Sequence, residues 1–146
     1  MAVIRDIHPN DRARWEALFL EYGVFYETAF DRAVLDGVWG WLMDDATEVR
    51  AFVAVEGDEV IGFTHYRPQP DTFTAASGWF LDDLFVDPAA RGSGAATALI
   101  DAVADYATAH GGGTLRWITA HDNDRAQRVY DRIATKATWV TYEREC

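Results

Sequence analysis

Apolar and polar positions alternate or recur at helical spacing along most of the chain, and the pattern divides it into ten segments. VIRDI (3–7) predicts a short strand ending before Pro9. Asn10 or Asp11 can cap the helix that follows, where Trp15, Leu18, Phe19 and Tyr22 fall on one face. Asp31 can cap a second helix carrying Val34, Leu35, Val38, Trp41 and Leu42. VRAFVAVE and DEVIGFTHYRP flank Gly57-Asp58, which predicts two strands joined by a tight turn. GWFLDDLFVD is another strand. Residues 93–110 predict a helix with Leu99, Ala102, Val103 and Tyr106 on one face, closed by Gly111, Gly112 and Gly113. TLRWITA is a strand, Asp122 or Asn123 caps a helix to about Ile133, and ATWVTYERE predicts a final strand.

The order β-α-α-β-β-β-α-β-α-β predicts an α/β (α+β) fold with a mixed sheet and helices on its faces. The helix between the strands at 78–87 and 114–119 makes those two parallel neighbours. The 146 residues, 49% hydrophobic and 14% aromatic, suit a single domain over 1–146 with one core. No apolar run is long enough to span a membrane, and the N-terminal MAVIRDIHPND lacks a secretory layout. Cys146 is the sole cysteine, so neither a disulfide framework nor a cysteine-based zinc site is expected; the expected location is cytoplasmic. His65, His110 and His121 share no ligand spacing, and no metal is expected. A formal net charge of -11 repels phosphate backbones and argues against a nucleic-acid partner, while it suits cationic ligands such as amines.

One stretch raises a chemical question. FLDDLFVDPAARGSGAATAL places two adjacent acids, Asp82 and Asp83, in an apolar strand and a bare glycine loop directly after it. The loop lacks the Gly-Lys-Ser/Thr ending of a P-loop, and Thr97 stands where a dinucleotide fingerprint needs its third glycine. Arg91-Gly92-Ser93-Gly94-Ala95-Ala96 fits a third pattern, Q/R-x-x-G-x-G/A. Its glycines let main-chain N–H groups approach an anion, the following helix offers unpaired N–H groups and its positive pole, and Arg91 adds a cation. A turn leading into a glycine-rich helix start accounts for the same six residues without a ligand.

The surroundings carry a resemblance. LDDLFVDPAARGSGAATALIDAV resembles motif A of the GNAT (general N-acetyltransferase) superfamily, and Asn123-x-x-Ala126-x-x-x-Tyr130 is similar to the family's second motif. The similarity spans roughly residues 49–144, and FLDDLFV is closest in flavour to spermidine/spermine-type and amino-acid or histone acetyltransferases. The resemblance implies a splayed sheet, open between the strands at 78–87 and 114–119, with acetyl-CoA as cosubstrate. Leu84, Phe85 and Val86 would pair with the pantetheine arm. Arg91, Gly92, Ser93, Gly94, Ala95, Ala96 and Thr97 would hold the pyrophosphate, and Asn123, Ala126 and Tyr130 would complete the cofactor side.

The implied activity is acetylation of a primary amine of a small molecule (a polyamine, an amino acid or similar) by direct transfer. A protein or peptide acetyltransferase and a non-catalytic acyl-CoA-binding module are the alternatives. An alkylamine must lose a proton, the oxyanion needs a donor, and the leaving thiolate benefits from an acid. Asp82 and Asp83 are the candidates for binding and deprotonating the amine; as strand neighbours they should point to opposite faces. Tyr130 is the candidate acid, a main-chain N–H at Leu84 or Phe85 the oxyanion donor, and Tyr22, Tyr26 and Glu27 candidate acceptor contacts. A homodimer is expected, with the last strand as a possible joint.

Overall fold

The computed structural model describes residues 1–146. Five strands form one sheet in chain order: β1 (Val3–Asp6), β2 (Arg50–Glu56), β3 (Glu59–Pro68), β4 (Gly78–Val86) and β5 (Thr114–Arg116). Neighbours are antiparallel except β4 and β5, which run parallel. Helices α1 (Arg12–Phe25) and α2 (Arg32–Leu42) lie between β1 and β2, α3 (Ala95–Ala109) between β4 and β5, and α4 (Asp124–Ile133) follows β5. The parallel pair is the one the intervening α3 demands, because a crossover helix returns the chain in the same direction.

Helices cover both faces of the sheet. Trp15, Leu18 and Phe19 of α1 and Leu35 of α2 are buried against Val53, Phe63 and Phe85. On the opposite face Ala95 and Leu99 of α3 meet Ala54 and Ile61, while Ile100 and Val103 meet Tyr66 and Leu81. Each fully buried large aliphatic or aromatic side chain stabilises the fold by about 1.5–3 kcal/mol relative to exposure. Asp31 caps α2 by accepting the Val34 N–H at 2.9 Å, and Asn123 caps α4 by accepting the Ala126 N–H at 3.2 Å.

Three expectations are corrected. Asp11 does not cap α1. Its carboxylate turns back, accepts the His8 N–H at 2.7 Å and takes two bonds from the Arg5 guanidinium, and it is buried. The strand expected from TLRWITA shortens to Thr114–Arg116, because β4 and β5 stay in register only from Gly78 to Phe80. The final strand does not form. Residues 135–146 join no sheet, and Trp139, Val140 and Tyr142 are 73%, 75% and 92% exposed. Their β-branched and aromatic pattern has strand propensity, but no strand of the same chain pairs with it.

A cleft where the sheet splays

Parting of β4 and β5 beyond Phe80 leaves the second half of β4 without a neighbour on that edge. The Asp87 N–H bonds the Ile61 carbonyl across β3 at 2.7 Å. Main-chain groups alternate in direction along a strand, so those of Phe85 also face β3 and those of Leu84 and Val86 face the open edge. There they border a cavity of about 460 Å³. Leu84, Phe85 and Val86 form one wall, and Arg91, Gly92, Ser93, Gly94, Ala95, Ala96 and Thr97 close one end. Asn123, which caps α4, and Ala126 and Tyr130 of α4 face them, and Tyr22 of α1 with Tyr26, just past its end, line the remaining side.

The loop at the head of α3 is built for close approach to an anion. Gly92 and Gly94 sit at φ 82° and 80°, where side-chain-bearing residues are strained. The Ser93 N–H bonds Ala90 at 3.3 Å and the Ala98 N–H bonds Gly94 at 3.0 Å. The N–H groups of Gly92, just before them, and of Gly94, Ala95, Ala96 and Thr97, between them, have no partner within the protein. Five free donors at a helix N-terminus form a positive nest, and Arg91, Arg125 and Arg132 border the same cavity. The local field is thus opposite in sign to the net charge of -11. The chemistry of this donor set fits a pyrophosphate. Arg125 and Arg132 escaped the sequence reading; their seven-residue spacing, two turns of one helix face, was the available signal.

Tyr130 reaches the cavity from α4, with its ring edge-on to Trp117 at 5.4 Å between centroids. Burial, with a smaller contribution from Tyr26, pushes its phenol up to about 12. The group therefore keeps its proton at neutral pH and can act as a donor. Asn123 spends its Oδ1 on the α4 cap, and its Nδ2 donates to Thr119 Oγ1 at 3.3 Å.

The paired acids behave differently from their expected placement. A register shift in the β3–β4 ladder sets His65 opposite Asp83 and Tyr66 opposite Leu81, which makes Asp82 the extra residue of a β-bulge. Strict alternation fails there, and both carboxylates reach the β3 face that carries His65 and Arg67. Asp83 Oδ2 is 2.8 Å from His65 Nδ1, and Asp82 lies 3.0 and 3.2 Å from Arg67 Nε. Asp82 is not on one face with Leu84 and Val86, which pack toward α3. Burial raises the Asp82 carboxyl above its usual range despite the opposing pull of Arg67. Neither aspartate lines the cavity. Glu27 does not line it either; with Phe25, Tyr26, Asp122, Asp124 and Arg125 it borders an adjoining cavity of about 590 Å³. No three His, Cys, Asp or Glu side chains come together in a way that could hold a metal ion. No helix is long and apolar enough to cross a membrane.

Comparison with known proteins agrees with this architecture. The profile of the acetyltransferase (GNAT) family matches residues 12–134. The chain is 30% identical over 144 residues to the D-amino-acid N-acetyltransferase HPA3 of Saccharomyces cerevisiae (strain ATCC 204508 / S288c), covering 97% of this chain and 89% of that protein. It is 34% identical over 131 residues to the uncharacterized N-acetyltransferase YhfO of Bacillus subtilis (strain 168), covering 88% of this chain and 86% of that protein. Among solved structures, the aminoglycoside N-acetyltransferase AAC(6')-Iy in complex with CoA superimposes with a TM-score of 0.83 at 23% identity, covering 99% and 95% of the two chains, a likeness of fold. With a family profile spanning most of its length and relatives aligned nearly end to end, the chain belongs to the GNAT family and is an N-acetyltransferase.

Proposed function

We propose that the protein transfers an acetyl group from acetyl-CoA to the primary amine of a small molecule, an amino acid, polyamine or similar compound, by direct transfer in a ternary complex. The observation that carries this reading is the row of unpartnered amides at the α3 N-terminus, opening onto the same cavity as the Tyr130 phenol. The name of the yeast relative, a D-amino-acid N-acetyltransferase, supports the amino-acid end of the range. Acidic Glu27, Asp122 and Asp124 beside the adjoining cavity favour a cationic acceptor.

In this reading the amides of Gly92, Gly94, Ala95, Ala96 and Thr97 hold the pyrophosphate, with Arg91 beside them. Acetyl-CoA bound there supplies the thioester. Leu84 and Val86 pair with the pantetheine arm as an added strand would. The Leu84 N–H donates to the thioester oxygen as charge develops on it. Phe85 contributes its ring to the core instead of a main-chain donor, because its peptide groups face β3. Tyr130 gives its proton to the sulfur as the C–S bond breaks; the amine nitrogen forms the new C–N bond and returns its surplus proton to the phenol oxygen. Asp82 and Asp83 act on the acceptor at a distance, and deprotonation of the ammonium passes through water, since neither carboxylate borders the cavity.

The unit that does this is residues 1–146 as one domain, placed in the cytoplasm. Two copies associate through residues 135–146, whose exposed Trp139, Val140 and Tyr142 and strand-like pattern suit pairing with a second chain. The test is thiol release from acetyl-CoA across a panel of amines, with CoA binding measured by calorimetry. Release with at least one amine and measurable CoA binding are expected; neither, across the whole panel, refutes the proposal.

A further inference from the structure

The loop that carries the free amides is held mainly at its two ends. Its far end is α3, whose Ala95 and Leu99 are buried. In between, a Cβ added at Gly92 or Gly94 would meet no atom within 4 Å, so neighbouring side chains do not hold these two residues in place. The leading end is Asp87, the residue after β4, and every polar group of Asp87 is engaged. Its N–H bonds the Ile61 carbonyl at 2.7 Å, and its own carbonyl accepts the Ala90 N–H at 2.8 Å. Oδ1 accepts the Ala89 N–H at 3.0 Å and caps the short 3-10 helix Pro88–Ala90. Oδ2 accepts from Nη2 of Arg14 on α1. The Ala89 N–H and then Arg14 hold the Asp87 carboxyl below its usual range, so it is a carboxylate at neutral pH.

The Arg14 guanidinium is fixed in turn. Its Nε donates to the Val60 carbonyl of β3 at 2.8 Å and stands 3.5 Å from Glu59 Oε1. Glu59 is 68% exposed and Asp87 24%, so water screens the outer pair far more than the inner one. The clamp thus joins α1, the start of β3 and the end of β4 at the point where the chain leaves the sheet for the loop. The same helix lines the cleft through Tyr22, so the clamp sets the loop relative to that wall. Released here, the chain could rotate at Gly92 and Gly94, where glycine offers little resistance, and the free amides would point apart. We propose that Arg14 and Asp87 are positioning residues for the coenzyme, setting the direction of the loop amides that hold its pyrophosphate. Neither residue lines the cavity, and they act only through the loop. The inference rests on the acetyltransferase reading.

Substitution separates the clamp from the cap. Arg14→Met removes the guanidinium and leaves the Ala89 bond to Asp87 in place. Arg14→Lys keeps the charge, but a single ammonium lacks the fork that spans Val60 and Asp87. CoA binding to these variants, to Asp87→Asn and to the double variant Arg14→Met/Asp87→Asn is measured by calorimetry, at a temperature where thermal melts show every variant folded. Asp11→Asn is the control: Asp11 also holds an arginine and a main-chain N–H beside α1, yet bonds nothing in β4 or the loop. Arg14→Met and Asp87→Asn should each raise the Kd for CoA about 10-fold, the effect of one misdirected amide–phosphate bond. Arg14→Lys should fall between Arg14→Met and the parent. The double variant should lose no more than the weaker-binding single one, because both changes remove one device. The KM for the amine at saturating acetyl-CoA should stay that of the parent, which a general loss of structure would not allow. Parent-like CoA affinity in both Arg14 variants overturns the proposal. So does an equal loss in Asp11→Asn, or losses that add in full in the double variant. CoA binding absent from the parent protein defeats the acetyltransferase reading itself, and this inference with it.

Discussion

Replacing Gly94 by alanine separates backbone strain from anion binding. Gly94 has φ 80°, and nothing lies within 4 Å of a Cβ added there, so the cost is conformational and not steric. Holding a side-chain-bearing residue in the left-handed region costs roughly 1–2 kcal/mol. The chain can keep that conformation and lose stability, or relax and redirect the Gly94 and Ala95 amides. Relaxation removes one or two of the five free donors. A hydrogen bond to a charged group contributes about 1.5–3 kcal/mol. At about 1.4 kcal/mol per tenfold, loss of one such bond weakens CoA binding about 10- to 150-fold. Gly57 supplies the control. It too has a positive φ, 62°, with nothing within 4 Å of an added Cβ, but it sits in the β2–β3 turn away from the cleft. Gly57→Ala should lower the melting temperature by a similar amount and leave CoA affinity intact. Calorimetric titration with CoA and thermal melts of both variants are the assay. Equal CoA affinities in Gly94→Ala and Gly57→Ala, at comparable melting temperatures, would refute the reasoning.

Tyr130→Phe keeps the ring against Trp117 and removes only the proton, so kcat should fall about 10²- to 10⁴-fold with the melt little changed. Since burial raises the folded phenol to about 12, its contribution to stability is fully present below pH 10 and is lost as pH climbs from there through 12; an alkaline melt series reads this. Asp11→Asn breaks a carboxylate that holds both Arg5 and the His8 N–H, and urea denaturation should register a loss of about 1–3 kcal/mol. Its bonds to Arg5 hold the Asp11 carboxyl below its usual range, so the stability it adds is present above about pH 4 and disappears as pH falls through the lowered value. Trp139→Glu combined with Tyr142→Glu should shift a dimer toward monomer in sedimentation velocity; an unchanged distribution refutes the arm-mediated pairing.

Element order was legible because it rests on local signals. The Asp31 and Asn123 caps, the Gly57-Asp58 turn and the apolar face of α3 each act within a few residues. The mixed sheet followed from the crossover that α3 imposes. What failed depended on distant partners. ATWVTYERE has strand propensity, but propensity does not supply a neighbouring strand. Arg5 lies six residues from Asp11, and the competition between a helix cap and an ion pair is decided by how β1 delivers that guanidinium. Most of the cleft residues, from Leu84 through Tyr130, were named as a set through the resemblance to the GNAT motifs, and the glycine loop alone was readable from its own chemistry; all of them border one cavity. The buried bond from the Trp15 indole N–H to His65 Nε2 was not readable. Trp15 looked like core and His65 like a stray histidine, because their bond joins residues fifty apart in sequence.

The extra residue at Asp82 acts on the sheet much as an inserted nucleotide acts on a reading frame. Upstream of it Leu81 looks toward α3; downstream, Leu84 and Val86 look toward α3 while Phe85 looks toward α1, an assignment that unbroken alternation would invert. Excising Asp82 itself would leave Leu81, Asp83, Leu84, Phe85 and Val86 in plain alternation with the facings they already have, whereas excising a residue of the regular run beyond it, such as Leu84, would send the side chains that follow to the wrong faces and turn the open main-chain edge inward.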